Sequence, residues 1–107
     1  MEDIDLARSL LEDDKQHLVM VKKGQVLFTS RERGIAPFFY AVKSMGKDLH
    51  NAAVADCIVG SAVAMLCLHA RIGSVYGGIA SQNALDMLKK KGVAVSSGNT
   101  VPYISNY

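Results

Sequence analysis

Hydrophobic positions recur at two different spacings in the first third of the chain. Between residues 3 and 12, apolar side chains return every three or four positions among acidic ones, which predicts an amphipathic helix. Two runs rich in β-branched residues follow, His17 to Lys22 and Gln25 to Ser30, joined across Lys23-Gly24. Because glycine adopts the positive φ that a tight turn requires, this pattern predicts a β-hairpin.

A second helix is predicted after the polar loop that begins at Ser30. Pro37 stands where a first helical residue belongs, and Gly46 ends the segment. Its apolar stripe is expected to comprise Phe38, Phe39, Val42 and Met45.

The most apolar part of the chain extends from Asn51 to Ala70, where Asp56 is the only acidic or basic residue apart from one histidine. We expect one helix here, covered by the sheet, by neighbouring helices and, for the remainder, by a second subunit. Asn51 and Asp56 can both cap a helix, and either choice places Asp56 in or near the first turn. The uncharged stretch from Cys57 to Ala70 has the length of a buried helix rather than of a membrane span.

The last third of the chain alternates strand, helix and strand. Ser74 to Ala80 is rich in strand-forming residues, Ser81 is a good N-cap, and Lys89-Lys90-Lys91-Gly92 closes a helix. Val93 to Ser97 is then predicted to run parallel to the previous strand, reached by a right-handed crossover. Val101 to Ser105 is expected to form a short edge strand.

This order of elements predicts an α/β protein, a three-layer α/β/α sandwich with a mixed sheet of four to five strands. The chain has 107 residues, 50% of them hydrophobic, which is enough for one core and not for two, so we expect residues 1–107 to form a single domain. Its net charge of +2 gives no reason to expect a nucleic-acid or membrane partner. The acidic start is unlike a signal peptide, and the two cysteines are expected to be free thiols, so a cytoplasmic location is predicted.

Motifs for metals and cofactors are missing from the sequence. His17, His50 and His69 are scattered over different elements, and neither C-x-x-C nor H-E-x-x-H occurs, so we expect no metal site. Gly77-Gly78 lies inside a predicted strand and not between a strand and a helix, where a phosphate-binding loop would be. We therefore expect no cofactor, and assign the two glycines to a bulge or to close packing against the apolar helix.

Two adjacent residues at the predicted start of the apolar helix are candidates for catalysis. A helix N-terminus would lower the pKa of the Cys57 thiol and favour a nucleophile, whereas the Asp56 carboxylate beside it works in the opposite direction. Asp56 could itself serve as a general base. In the loop after the hairpin, Arg31 and Arg33 suit an anionic ligand, and the alternative is internal pairing with Glu32 in a solvated loop.

Four segments resemble a family of small bacterial proteins of unknown function whose fold is grouped with that of the cytidine deaminases. They are FTSRERGIAP at 28–37, AVADCIVGSAVAML at 53–66, VYGGIASQNALDMLKKKGV at 75–93 and VPYI at 101–104. Together with the predicted N-terminal helix and hairpin they cover nearly the whole chain. The resemblance implies a sheet with strand order 2-1-3-4-5.

Zinc deaminases carry H-x-E at one helix N-terminus and P-C-x-x-C at the next. Placed on this chain by the resemblance, the first motif falls on Val54-Ala55-Asp56 and the second on residues 80–84, where no ligand set for zinc remains. The resemblance therefore implies a deaminase-like domain without zinc and without deaminase activity.

Polar residues from three elements are expected to meet at one end of the sheet. They are Ser30, Arg31 and Arg33 after one strand, Asp56 at the start of the apolar helix, and Ser81, Gln82 and Asn83 after another strand. Such a cleft suits a small polar or nucleotide-like ligand, although Asp56 and Ser81 could simply cap helices. Two alternatives remain, an enzyme that uses Asp56 or Cys57 and an oligomeric interaction module; a homodimer is expected from the apolar helix.

Overall fold

The structure is a computed structural model and describes residues 2–105. Helices and strands alternate along most of the chain. The helices are Asp3–Asp13 (α1), Ala36–Met45 (α2), Ser61–His69 (α3) and Gln82–Lys90 (α4), and the strands are Leu18–Lys22 (β1), Gln25–Ser30 (β2), Ala53–Val59 (β3), Ser74–Ser81 (β4) and Ala94–Val101 (β5). A single 3-10 turn, Gly46–Leu49, follows α2.

The five strands form one mixed sheet in the order β2-β1-β3-β4-β5. The hairpin β1–β2 and the pair β1–β3 are antiparallel, whereas β3–β4 and β4–β5 are parallel. Helix α1 covers one face, and the side chains of α2, α3 and α4 pack on the other. The three-layer α/β/α sandwich and the predicted strand order are confirmed.

Two apolar clusters of unequal size lie on the two faces of the sheet. The larger one joins the sheet to α2, α3 and α4, and the smaller one joins it to α1. The smaller cluster consists of Ala7, Leu11, Val19, Val21, Ala55 and Tyr76, with Cys57 at its border.

Helix α1 is also fastened to the tip of the hairpin. The Asp3 carboxylate accepts hydrogen bonds from the backbone N–H groups of Lys23 and Gly24, at 2.8 and 2.9 Å. In the middle of α1, the Arg8 guanidinium lies over the Tyr76 ring, 4.4 Å from its centroid. These two polar contacts, together with the smaller apolar cluster, hold α1 against the sheet.

The prediction of one long helix over 51–70 is wrong. Residues Ala53–Val59 form the central strand β3, Gly60 stands at the junction, and only Ser61–His69 is helical. A parallel strand with both faces covered has no alternation of polar and apolar residues, so it looks like a buried helix in sequence. In consequence Asp56 and Cys57 belong to a strand and cap no helix.

Smaller corrections concern the last strand and the second helix. β5 is one continuous strand, Ala94–Val101, and no separate strand forms over Val101–Ser105 because the chain leaves the sheet at Pro102. Phe39, assigned to the buried stripe of α2, is 52% exposed, while Phe38 next to it is buried. The stripe is narrower than the sequence pattern indicates.

The remaining predicted elements are confirmed. The hairpin turns at Lys23-Gly24, and Ser81 caps α4 by accepting a hydrogen bond from the Ala84 N–H at 3.1 Å. Both cysteines are free thiols, on β3 and α3 rather than on one helix. Among residues 2–105, no helix combines the length and apolar character needed to cross a membrane.

Candidate functional site

The polar residues predicted to form a cleft lie toward the carboxyl ends of β2, β3 and β4. Leu18 on β1 is paired with Ser30 on one side and with Asp56 on the other, and Asp56 is paired with Gly77 on β4. Paired residues point to the same face, so this row faces α2, α3 and α4. Ser30 and Asp56 are therefore separated by two strand spacings, about 10 Å.

Asp56 is a partly buried carboxyl group within the sheet. Its Oδ1 accepts the Ile58 N–H at 3.1 Å. Burial raises the pKa of Asp56 from 3.8 to about 7, against the opposing effect of hydrogen bonds from the backbone of Ile58 and Cys57. Near neutral pH this group is divided between its two protonation states and can accept or release a proton.

Cys57 points toward the opposite face of the sheet and borders the cluster beneath α1. Its thiol donates to the carbonyl oxygen of Gln16 at 3.5 Å. Burial raises the pKa of Cys57, the Asp56 charge raises it further, and Arg33 lowers it in part. Because no helix begins here, the thiolate lacks the stabilisation that the sequence suggested for a nucleophile.

Arg31 and Arg33 are exposed in the loop after β2. Arg31 donates to the Asp14 carbonyl oxygen at 3.4 Å, and the Ser30 hydroxyl accepts the Glu32 N–H at 3.1 Å. Within residues 2–105 neither arginine has a carboxylate oxygen within 4 Å. Internal ion pairing with Glu32 is therefore not formed, and the Arg31 guanidinium contacts the backbone at the end of α1 instead.

A cavity of about 360 Å³ lies beside Ser30, between the end of β2 and the first turn of α2. Phe28 and Tyr40 form its aromatic walls, with ring centroids 6.1 Å apart. Sequence reasoning missed both residues. The available signal for Phe28 was its position, two residues before Ser30 on the same face of β2. Tyr40 gave no such signal, because it lies within an apolar run that is typical of a core helix.

Ser81, Gln82 and Asn83 chiefly hold the start of α4 in place. The Ser81 hydroxyl is buried and accepts the capping hydrogen bond from the Ala84 N–H. The Gln82 side chain donates to the Asp86 carboxylate at 2.9 Å. Asn83 donates to the Ser61 hydroxyl at 2.8 Å, which ties α4 to the start of α3. These contacts support the helix-capping interpretation of Ser81 and leave the exposed parts of Gln82 and Asn83 at the rim.

The donor groups at this edge do not fit a zinc ion. Val54-Ala55-Asp56 lies inside β3, so its placement on a motif that opens a helix is wrong. The helices that do begin at this edge start with Ile35-Ala36-Pro37, Gly60-Ser61 and Ser81-Gln82, which offer neither imidazole nor thiolate. No three His, Cys, Asp or Glu residues within 2–105 are grouped so that they could hold a metal ion.

Comparison with known proteins identifies one matching sequence family and several solved structures with a similar fold. A family described as a domain of unknown function (DUF1893; TM1506) matches residues 6–107. The crystal structure of a DUF1893 family protein (TM1506) from Thermotoga maritima superposes with a TM-score of 0.85 at 22% identity, over 96% of this chain and 69% of that chain. No curated protein matches the sequence significantly.

Two deaminase structures share the fold at lower similarity. RibD from Acinetobacter baumannii, in its form 2, gives a TM-score of 0.65 at 15% identity, over 90% of this chain and 35% of that one. The apo dCMP deaminase of cyanophage S-TIM5 gives 0.59 at 14% identity, over 92% and 94%. The chain thus spans about a third of RibD and nearly the whole length of the phage enzyme, and the likeness is one of fold.

Proposed function

Because the chain belongs to the DUF1893 family of domains of unknown function, and has a deaminase-like fold in which residues 2–105 form no zinc-binding group, we propose that it binds a small nucleotide-like ligand at the carboxyl edge of its sheet. The observation that carries this proposal is the aromatic-walled cavity beside Ser30, which adjoins the loop that holds Arg31 and Arg33; Glu32 of that loop is part of the lining. In parallel sheets this edge is where ligands usually bind.

Residues around this edge of the sheet offer chemistry that suits the phosphate and the base of such a ligand. The guanidinium groups of Arg31 and Arg33 suit a phosphate, since arginine offers paired donors. Tyr40, a residue that is 63% exposed, gives a base an aromatic surface for stacking. Asp56, about 10 Å from Ser30 along the same row, accepts hydrogen bonds as a carboxylate and donates one when protonated.

Binding is tested by calorimetry with nucleoside monophosphates and with the corresponding nucleosides at low ionic strength. We expect saturable binding of a monophosphate, at least tenfold weaker binding of its nucleoside, and a similar loss in an Arg31→Gln/Arg33→Gln double variant. Lys89→Gln, which removes one exposed cation from the other end of α4, is the matched control and should bind like the wild type. A panel without any saturable ligand, or a double variant with unchanged affinity, would refute the proposal.

A second candidate, catalysis with Asp56 as the acid or base, is favoured by the pKa of this carboxyl near 7. Once a ligand is known, its conversion can be followed by NMR. In this hypothesis Asp56→Asn abolishes turnover and leaves ligand affinity within about threefold. Turnover that survives in Asp56→Asn would assign the chemistry elsewhere.

Self-association is the third proposal, and it rests on an apolar groove between α2 and α3. Ile35, Phe39, Met65 and Leu66 line this cavity of about 550 Å³, and Phe39 and Met65 are 52% and 55% exposed. Phe39 and Met65 together expose on the order of 200 Å², about a quarter of the roughly 800 Å² per subunit that a stable dimer buries. We propose a second copy of the chain as the occupant, with the same groove on both subunits.

Light scattering across a range of concentrations tests this dimer. We expect a dimer for the wild type and a monomer for Met65→Glu, which would bury two like charges near the symmetry axis. Val26, 48% exposed on β2, provides the control, since Val26→Glu adds the same charge outside the groove. A monomeric wild type, or a dimer that persists in Met65→Glu, would rule out this interface.

A further inference from the structure

An open cavity of about 520 Å³ lies at the amino edge of the parallel strands, opposite to the proposed nucleotide site. The segments that enter β3, β4 and β5 meet there with the carboxyl ends of α3 and α4. Leu68, Ile72 and Val93 give it an apolar lining, and Asn51, Arg71 and Lys91 contribute polar groups. Its size is within the usual range for small-molecule sites.

The charge of this cavity is positive. Arg71 and Lys91 are exposed, and no acidic residue is part of the lining. In the part of the chain from 2 to 105, neither side chain donates a hydrogen bond within the protein or has a carboxylate oxygen within 4 Å. Two cations therefore border an apolar surface with no partner in the described protein.

The negative ends of α3 and α4 account for part of this charge, because cations are favourable at a helix C-terminus. The backbone of Arg71 carries a cost of its own. This residue follows the C-cap of α3 with φ of +56°, and at the equivalent place after α4 stands Gly92 with φ of +82°. Glycine adopts this conformation without strain, whereas arginine does not. Lys15 stands at the equivalent place after α1 with φ of +55°, so a cation there also suits a helix end, at a cost in backbone strain that glycine avoids.

We propose that the cavity binds a small organic anion, a carboxylate or phosphate monoester joined to an apolar body. The guanidinium of Arg71 and the ammonium of Lys91 hold the anionic group. Leu68, Ile72 and Val93 contact the apolar part, which fixes its orientation. This site is separate from the proposed nucleotide site and does not depend on it.

Benzoate and phenyl phosphate are suitable probes, with benzyl alcohol as the uncharged comparison. Binding is followed by backbone amide NMR shifts of Ile72, Gly73, Gly92 and Val93 at low ionic strength. We expect saturable shifts confined to these amides for at least one of the two anions, and none for benzyl alcohol. The preferred anion tells carboxylate from phosphate ligands.

Arg71→Gly separates binding from a structural role. The variant should bind the probe at least tenfold more weakly. Its Tm should be at or above that of the wild type, because glycine adopts the left-handed conformation at position 71 without backbone strain. Lys90→Gln, on the neighbouring exposed turn of α4, should bind like the wild type. Unchanged affinity in Arg71→Gly, or shifts spread over the surface without saturation, would overturn the proposal; Arg31→Gln/Arg33→Gln should leave this binding unaffected.

Discussion

Asp56 and Gly77 are paired on the parallel strands β3 and β4, and the packing around this pair leaves no room for a side chain at position 77. A Cβ atom on Gly77 would lie 2.9 Å from Cγ2 of Val59 and 3.3 Å from Cβ of Ala80. We expect Gly77→Ala to lower the free energy of unfolding by about 1–3 kcal/mol. Denaturant unfolding measures the loss, and a double-mutant cycle with Val59→Ala should show favourable coupling; additive losses would contradict the proposed contact.

Stability should fall as the pH rises from about 4 to 7, because the unfolded state loses the Asp56 proton near its ordinary pKa and the folded state keeps it up to about 7. Below this window the group is protonated in both states and contributes no penalty. Above it, the buried carboxylate destabilises the fold by up to about 4 kcal/mol. Urea unfolding of the wild type at several pH values measures this slope.

Asp56→Asn provides the control for that pH dependence. Asparagine keeps an oxygen for the Ile58 N–H and carries no charge. We expect the variant to be more stable than the wild type at pH 8, to match it more closely at pH 4, and to lose most of the slope between these values. Identical pH profiles for the two proteins would mean that Asp56 titrates in its ordinary range.

Ser81→Ala should destabilise the protein by about 1 kcal/mol, because the Ala84 N–H at the buried start of α4 loses its acceptor. Ligand affinity at the carboxyl edge should stay within about twofold, since the hydroxyl already serves the cap. Thermal unfolding and calorimetry measure the two quantities on the same sample. Stability equal to that of the wild type together with lost binding would instead assign Ser81 to the ligand.

Cys57 should react slowly with iodoacetamide at neutral pH. Burial and the Asp56 charge both raise the pKa of its thiol, so little thiolate is present. Mass spectrometry after timed labelling gives the rate, which we expect to be below that of free cysteine and to increase as the pH is raised. Labelling faster than free cysteine at pH 7 would revive the nucleophile hypothesis. Cys67 is fully buried and should label only on unfolding.

The fold could be predicted where local patterns are strong. The prediction failed where a strand is covered on both faces. The hairpin and the Ser81 cap follow from turn and capping chemistry within a few residues. β3 differs, because its apolar composition comes from tertiary burial between β1 and β4. Gly60, which separates β3 from α3, was the one local sign of the boundary.

The candidate site was harder to predict, because its geometry depends on that same strand. As a helix cap, Asp56 would be a carboxylate stabilised by hydrogen bonds from the backbone. Within β3, burial instead raises the pKa of Asp56. Arg31 and Arg33 lie in one short loop that the sequence itself marks as polar, whereas the aromatic walls contributed by Phe28 and Tyr40 come from elements that only the tertiary structure brings together.

The unequal clusters on the two faces of the sheet give the molecule a preferred place to open. α1 rests on a small apolar cluster and on the contact between Asp3 and the hairpin tip, whereas three helices share the larger cluster. Detachment of α1 therefore needs less free energy than global unfolding, and it would uncover the α1-side residues of β1 and β3. Amides of α1 should exchange with solvent through this partial opening, while those of β3 and β4, bonded on both sides, exchange only when the whole sheet comes apart.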